Sequence, residues 1–206
     1  QYKFDFGVYM QIQDVALIKT GAVLSRLSAV EFGGEAYRTL SLKNIDDELG
    51  LILKDTCKTM RFGESVSDEF FTRVGDILVR LSSPYTAVYI DSADYGGLLV
   101  PSHFAIIRAD KITPGYLYAM LDSQEIRKQL LVSRSGSTTL GTISVKSIAE
   151  CVIPELPVPE QKLVAQYHMA AKKELRLYSA LLAEKQKLAR IRYAKLTKRI
   201  EEGELL

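Results

Sequence analysis

The chain has 206 residues, of which 47% are hydrophobic and 25% are charged, and its net charge is +2. This balance is ordinary for a soluble globular protein, and no run reaches the roughly 18 uninterrupted apolar residues of a membrane span. Cys57 and Cys151 lie too far apart for a C-x-x-C metal motif, and two cysteines make no disulfide framework. They indicate reduced thiols in a cytoplasmic protein.

The first part of the chain is predicted to be mainly β-structure. Residues 8–18 begin with an apolar pattern that leaves their structure open, whereas residues 36–45 alternate as a half-buried strand does. Residues 75–80 form a turn and a β-branched run, and residues 87–90 are the expected hairpin partner across Ser82-Ser83-Pro84. Residues 98–100 and 104–108 are expected to continue this sheet, and residues 151–153 to form one more strand.

Short helices are expected among and after these strands. Pro114 is well placed for the first turn of a helix over residues 114–121. Residues 123–132 show apolar side chains at helical spacing, and residues 143–148 suit a single helical turn. Pro154, Pro157 and Pro159 predict an extended, stiff connector after the last strand.

Beyond this connector the pattern changes to that of one long helix. Residues 160–200 contain no Gly or Pro, and at about 1.5 Å per residue they would span roughly 60 Å. One apolar stripe steps along them by threes and fours, through Val164, Ala171, Leu175, Tyr178, Leu182, Ala189 and Leu196. A domain of about 150 residues cannot cover so much apolar surface, so we expect a coiled coil between two copies of the chain.

The sequence therefore predicts an α+β fold with two parts. Residues 1–158 would form a mixed, mainly β domain with short helices, and residues 159–206 would form the long C-terminal helix. Residues 172–199 of that helix carry ten basic side chains against two acidic ones. This asymmetry suits contact with nucleic acid, contact with an acidic partner, or simply the solvated face of a coiled coil.

Five segments resemble, in order and spacing, one known family. They are residues 15–21 (VALIKTG), 74–79 (VGDILV), 112–118 (ITPGYLY), 136–143 (GSTTLGTI) and 153–161 (IPELPVPEQ). They are similar to the first strand, the GDIL strand, the Pro-x-Tyr-Leu helix entry, the following loop and the Pro-Glu-Gln helix start of DNA specificity subunits. These subunits belong to type I restriction–modification systems, and the resemblance spans essentially the whole chain.

The resemblance implies a function in DNA recognition. The first part would be a target recognition domain that reads one half of a bipartite site in double-stranded DNA. The helix would act as a spacer and as a dock for methyltransferase subunits, with a restriction subunit as a further partner. A standard specificity subunit has two such domains and two helices, so this chain would be a half-subunit that pairs with itself, or an excerpt of a longer protein.

Candidate DNA contacts are basic and small polar side chains in loops and at strand ends, because phosphate contacts position a protein and base contacts specify its sequence. Arg80 with Ser82, Ser83 and Tyr85 is the first cluster, since a guanidinium can bind guanine bidentately. The other candidates are Lys19, Arg26, Arg38, Lys58, Arg61, Arg134, Ser135, Gly136, Ser137 and Thr138. For each residue, a solvated loop or a turn is the alternative interpretation.

No catalytic residue, metal site or cofactor is expected. The sequence has no Gly-x-x-x-x-Gly-Lys, Gly-x-Gly-x-x-Gly or His-Glu-x-x-His motif, and His103 and His168 are expected to be structural. Two alternatives stay open. One is a protein-interaction module that oligomerises through its helix without binding DNA. The other is a small hydrolase or nuclease, in which Asp76 and Asp91 would be paired carboxylates.

Overall fold

The computed structural model describes residues 7–133 and 141–202 and divides into two compact units, Gln1–Tyr167 and His168–Leu206. Strands and short helices make up the first unit, and a long helix begins in it and runs into the second. The predicted fold class, mixed and mainly β with one long C-terminal helix, is confirmed. Among these residues no helix combines the length and the apolarity that crossing a bilayer requires.

The described residues contain ten strands and four α-helices. The strands are β1 (Tyr9–Gln11), β2 (Ala16–Thr20), β3 (Glu35–Thr39), β4 (Ile45–Asp46), β5 (Leu51–Ile52), β6 (Lys58–Phe62), β7 (Ile77–Arg80), β8 (Ala87–Tyr89), β9 (Phe104–Ala109) and β10 (Val152–Pro154). The helices are α1 (Pro114–Leu121), α2 (Gln124–Ser133), α3 (Val145–Ala149) and α4 (Val158–Glu201). Short 3-10 turns connect several of the strands.

A four-stranded antiparallel sheet in the order β2-β9-β7-β8 forms the centre of the first unit. Successive side chains of β7 enter two different cores, with Ile77 and Val79 on one side and Leu78 on the other. Because both faces of this sheet are covered, β7 has a continuous apolar sequence instead of an alternating one. The predicted hairpin is confirmed, since β7 pairs with β8 in the register Leu78↔Val88.

Helices α1, α2 and α3 pack on one face of this sheet, where Tyr116, Leu117, Ile126 and Ile148 are buried. Pro114 occupies the first turn of α1, as the sequence predicts, and α2 matches the second expected helix. Strand β10 pairs with β1 and not with the central sheet. The two ends of the first unit are thus joined by their own two-stranded sheet.

The base of α4 is fixed to the first unit by a buried glutamine. The side chain of Gln161 accepts a hydrogen bond from the backbone N–H of Thr113 (2.9 Å) and donates one to the carbonyl of Leu156 (2.8 Å). Gln161 and Ala165 are buried, and Val164 packs against the core. Two of the segments that carry the family resemblance, Pro-Glu-Gln and the α1 entry, are therefore in direct contact.

Three local predictions differ from the structure. Strand β3 ends at Thr39, because the side chain of Asn44 accepts hydrogen bonds from both the N–H and the hydroxyl of Ser41 (both 2.7 Å) and closes a turn. Residues 98–100 do not join the central sheet, because Leu99 bonds to Arg38 and Leu40 on one side and bridges Phe71 on the other. Helix α4 begins at Val158, so Pro159 lies within its first turn and not in the extended connector that the sequence predicts.

Candidate nucleic-acid interface

Strands β3 and β6 form a separate two-stranded ribbon with one solvent-exposed face. Arg38 lies opposite Thr59, and Arg61 lies opposite Ala36, so all four side chains point to the same side of the ribbon. All four are exposed. Arg38 and Arg61 are diagonal cross-strand neighbours, which places their Cα atoms about 7–8 Å apart. The fold thus brings together two candidates that lie 23 positions apart in the sequence.

The opposite face of the ribbon packs on an apolar cluster. Tyr37, Met60 and Phe62 contact a core that includes Leu99, and the ring centroids of Tyr37 and Phe71 are 5.2 Å apart. The hydroxyl of Tyr37 donates to Glu35, which raises the pKa of Tyr37. Gly34 enters the ribbon at φ 63° and lies directly against the backbone of Phe62, where a side chain would not fit. The inner face of the ribbon is therefore anchored by packing against this cluster.

In the hydrogen bonds that the structure shows for Arg38 and Arg61, each guanidinium donates to a backbone carbonyl. Arg38 Nη2 lies 3.2 Å from the carbonyl oxygen of Lys54, and Arg61 Nη1 lies 3.5 Å from that of Gly33. Neither forms an ion pair with a carboxylate of the described residues. Since a guanidinium carries five N–H donors, each arginine has donors left for a ligand.

Three further basic candidates lie on elements around the same apolar cluster. Lys58 is the first residue of β6 and is exposed at the end of the ribbon. Arg26 is exposed in the 3-10 turn Leu24–Arg26. Lys19 is already occupied, since its Nζ lies 3.0 Å from Glu69 Oε2 and 5.6 Å from the ring centroid of Phe70. Lys58 and Arg26 are the better placed of the three for an external anion.

The cluster around Arg80 has internal partners. Arg80 Nη1 lies 2.6 Å from Asp47 Oδ2, and its Nε donates to Ser82 Oγ at 3.0 Å. Thr86 donates its hydroxyl to the other oxygen of the same carboxylate. These bonds tie the segment after β4 to the β7–β8 hairpin, so the guanidinium has a structural role.

The remaining hairpin candidates also differ in accessibility. Tyr85 is buried, and its hydroxyl donates to the carbonyl oxygen of Gly141 (3.0 Å). Ser82 is half-buried and Ser83 is exposed, and the Ser83–Pro84 peptide is cis. The candidates Arg134, Ser135, Gly136, Ser137 and Thr138 lie outside the described residues. Ser83 is thus the member of the hairpin cluster that is open to solvent.

Asp76, a carboxylate of the nuclease alternative, is a buried structural residue. Its oxygens lie 2.9 and 3.1 Å from Nε and Nη2 of Arg108, and it also accepts the backbone N–H of Arg73 (2.9 Å). Arg108 Nη2 donates in turn to the carbonyl of Phe71 (3.0 Å). Within residues 7–133 and 141–202, no group of three or more His, Cys, Asp or Glu side chains is placed to hold a metal ion.

The helix of the second unit exposes large apolar side chains to solvent. Six of the predicted dimerisation residues lie in this unit, and all six are exposed. They are Ala171, Leu175, Tyr178, Leu182 (58% exposed), Ala189 and Leu196. The remaining residue of the predicted stripe, Val164, belongs to the first unit and is half-buried there. Further exposed apolar side chains are Leu177, Leu181, Leu188, Ile191, Tyr193 and Ile200.

Two residues outside the list of candidate DNA contacts lie beside the ribbon, one of which, His103, the sequence assigned a structural role. Lys43 and His103 are exposed and line one cleft together with Lys58. No local motif could have marked them, because they come from segments 15 and 45 positions away from Lys58 in the sequence. The tertiary fold alone places them together.

Comparisons with known proteins extend this picture. No family model and no curated protein matches the sequence. Solved structures do match the fold. A chain from the structure titled "Structural basis underlying complex assembly and conformational transition of the type I R-M system" is 21% identical, with a TM-score of 0.65. The match covers 87% of the present chain and 45% of that chain.

Two further solved structures have a similar fold. The HsdS subunit from Thermoanaerobacter tengcongensis is 21% identical with a TM-score of 0.63, over 87% of this chain and 45% of that one. The S subunit of the type I restriction–modification system from M. genitalium is 13% identical with a TM-score of 0.53, over 86% and 42%. The chain has the fold of about half a type I S subunit. The expected resemblance is thereby confirmed for the fold, and the chain spans less than half the length of the S subunits it matches.

Proposed function

We propose that this chain is a DNA-reading half of a type I specificity subunit. The observation that carries the proposal is the exposed face of the β3–β6 ribbon, with Arg38 and Arg61 on a fold shared with S subunits. The major groove of B-DNA, about 12 Å wide, admits a two-stranded β-ribbon, and arginine is the side chain that most often binds guanine there. The ribbon is therefore the element we assign to the groove.

Rigid support underlies this assignment. Base readout requires side chains held in a defined register, and the ribbon's inner face is packed on the Phe62 cluster. Arg26 is exposed in a turn next to this cluster, Lys58 is exposed at the end of the ribbon, and both would supply positive charge for phosphates. In this proposal Arg80 shapes the neighbouring hairpin through Asp47, and Ser83 is its solvent-facing group.

The long helix supplies the assembly half of the proposal. Its exposed apolar stripe, including Leu175, Tyr178 and Leu182, would pair with the same stripe of a second copy. Two copies related by a two-fold axis would read two palindromic half-sites, separated by about one helical turn or more. Methylation, and any cleavage, would belong to methyltransferase and restriction subunits that dock on the pair. The chain itself would have no catalytic residue and no cofactor.

Selection from a random duplex library tests this function. We expect the purified protein to enrich one bipartite, palindromic motif, with an affinity that falls steeply as the salt concentration rises. A library in which no motif is enriched, together with a stoichiometric protein partner in pull-downs, would favour the alternative of a protein-interaction module instead.

Paired arginine variants then locate the reading surface. In Arg38→Ala and Arg61→Ala we expect discrimination to relax at one base pair each, with a loss of about 1–3 kcal/mol of specificity. Arg73→Ala is the matched control, since Arg73 is also exposed but lines a pocket with the carboxylates of Glu35 and Asp68. Relaxed discrimination in Arg73→Ala and not in the ribbon variants would exclude the ribbon as the reader.

A further inference from the structure

A cleft of about 410 Å³ opens beside the ribbon, and its charged lining is entirely basic. Lys43, Lys58 and His103 line it, and no aspartate or glutamate does. The pocket lined by Glu35, Asp68 and Arg73, in contrast, mixes both signs of charge. Volumes of roughly 300–1,000 Å³ are typical of ligand sites, so the cleft is large enough to receive part of a ligand.

The three basic side chains are available to an external anion. All three are exposed, and none forms an ion pair or a side-chain hydrogen bond that the structure shows among the described residues. Two lysines that line one cleft without a carboxylate give it a positive potential, which favours a bound anion. The positive charge is therefore the feature to explain.

A network of hydrogen bonds holds the walls of the cleft in place. Buried Asn44, next to Lys43, donates to Thr56 Oγ1 at 2.6 Å and accepts from Ser41. Thr39, opposite Lys58 in the ribbon, is buried. The backbone N–H of Ser102, next to His103, donates to Ala22 at 2.8 Å. Each basic residue is thus adjacent to a fixed one, which preorganises the site.

The rest of the lining narrows the chemistry of the ligand. The floor is apolar, with Leu24, Leu40, Met60 and Pro101, and hydroxyls of Ser41 and Thr56 border it. A sugar–phosphate backbone matches this combination, because deoxyribose offers apolar C–H groups and each phosphate offers a charged oxygen pair. Lys58 and Met60 lie on the inner side of the ribbon, opposite Arg38 and Arg61, so the cleft opens beside that inner side, at the end of the ribbon where Arg38 lies.

We infer that this cleft seats the sugar–phosphate backbone of duplex DNA, with Lys43, Lys58 and His103 as its phosphate contacts. This inference rests on the proposed function and adds to it a site that fixes the position of the ribbon on the duplex. Phosphate contacts position without carrying sequence information. The seat therefore contributes affinity and salt dependence, and the ribbon contributes sequence preference.

Salt-dependent binding of the selected duplex by full-length variants tests the seat. In Lys43→Gln/Lys58→Gln we expect the slope of log K against log[salt] to decrease by about 0.9 for each phosphate that the protein no longer neutralises. We expect affinity to fall on the order of tenfold near 0.1 M salt, with the selected motif unchanged. His103→Asn should lower affinity in the same manner.

Lys111→Gln is the matched control. Lys111 is exposed and lies just beyond the far end of β9, whereas His103 lies just before its beginning, a strand length of about 20 Å away. An unchanged slope in the double variant, or a decrease equal to that of the control, overturns the seat. A changed motif overturns it too, since the lysines would then contact bases.

The remaining outcomes distinguish a failure of the proposed function from a failure of the inference about the cleft. If the unmodified protein selects no duplex motif, the proposed function fails, and the seat fails with it. If it selects a motif but the cleft variants show the same salt dependence as Lys111→Gln, the inference about the cleft fails and the proposed function stands. Inorganic phosphate that displaces the duplex more strongly than chloride at equal ionic strength would show a site for free phosphate, contrary to the inference.

Discussion

The two compact units of this chain differ in where their large apolar side chains lie. In the first unit, arginines 80 and 108 are matched with the carboxylates of Asp47 and Asp76, and large apolar side chains fill the cores. In the second unit, Leu175, Leu182 and other apolar side chains are exposed along the helix. The first unit thus buries most of its large apolar side chains, whereas the second exposes a continuous series of them, as the proposed pairing of two helices requires.

The same contrast appears along helix α4. At its base, Gln161 and Ala165 are buried and Val164 packs on the core, but the apolar positions from Leu175 onward are about half exposed or more. A change at the base should therefore affect folding, and a change farther along should affect association. Variants at the two places can break that division or sharpen it.

The first expected effect is the loss of self-association in Leu182→Glu. In the proposed helix–helix contact a carboxylate at this position would be desolvated, which costs free energy. We expect the dissociation constant to rise at least about 100-fold, or roughly 3 kcal/mol, while the thermal midpoint of the first unit stays unchanged. Sedimentation equilibrium measures the first quantity and circular dichroism the second.

Ala180→Glu provides the control for that variant. Ala180 is exposed on the same helix, and two residues correspond to just over half a turn, so it lies on the side away from Leu182. Its dissociation constant should stay near that of the unmodified protein. Equal dissociation in both variants would mean that charge, not the stripe, governs association.

A large stability loss is expected in Asp76→Ala. The change leaves Arg108, whose side chain is only 19% exposed, without its bidentate partner, and removes the acceptor for Arg73 N–H. Removing one member of a buried ion pair typically costs roughly 3–5 kcal/mol. Urea unfolding should show this loss, and self-association through α4 should persist in the folded fraction. An unchanged midpoint would contradict the structural role of Asp76.

A smaller loss is expected in Gln161→Ala, at the base of α4. The N–H of Thr113 and the carbonyl of Leu156 would each lose a hydrogen-bond partner, at a cost of about 1–3 kcal/mol. Exposed Gln166, five residues along the same helix, is the control, and Gln166→Ala should change stability by less than about 0.5 kcal/mol. Chemical unfolding compares the two, and equal losses would remove the special role of Gln161.

The smallest effect concerns alkaline pH. Burial raises the pKa of the Cys151 thiol to about 11, and the neighbouring Glu150 adds to that rise. The unfolded chain ionises this thiol above its ordinary pKa of 9.0, whereas the folded chain keeps the proton. The free energy of unfolding is therefore fully retained below pH 9 and decreases as the pH rises from 9 to 11.

Cys151→Ala should make this alkaline decrease shallower. Half-buried Cys57 is the matched control, because its pKa is also raised by burial but it only packs against the edge of a core. Urea unfolding at pH values from 8 to 11 measures both variants. A pH dependence that Cys57→Ala alters more than Cys151→Ala would reverse the assignment.

Local pattern predicted those parts of the fold whose cause is local. The β7–β8 hairpin, Pro114 at the start of α1 and the uninterrupted helix each depend on residues within a few positions of one another. The strand expected over residues 36–45 stops early because one side chain, Asn44, turns the chain after Ser41. Such side-chain closure has no periodic signature.

The candidate interface could be predicted only as a list of residues. Arg38 and Arg61 share a face because β3 pairs with β6 across a long connection, and non-local register is not written in either strand alone. Arg80 was the foremost candidate by type, but its partner Asp47 lies 33 positions away. Charge type was visible in the sequence, and charge pairing required the fold.

The most direct test of the whole account is the number of chains on one selected duplex. Sedimentation velocity of the protein with the selected bipartite duplex should show two chains per duplex, and one chain per duplex for Leu182→Glu at reduced affinity. A single chain that binds the full bipartite site with undiminished affinity would contradict the account. So would a protein that forms the dimer but binds no duplex in preference to another.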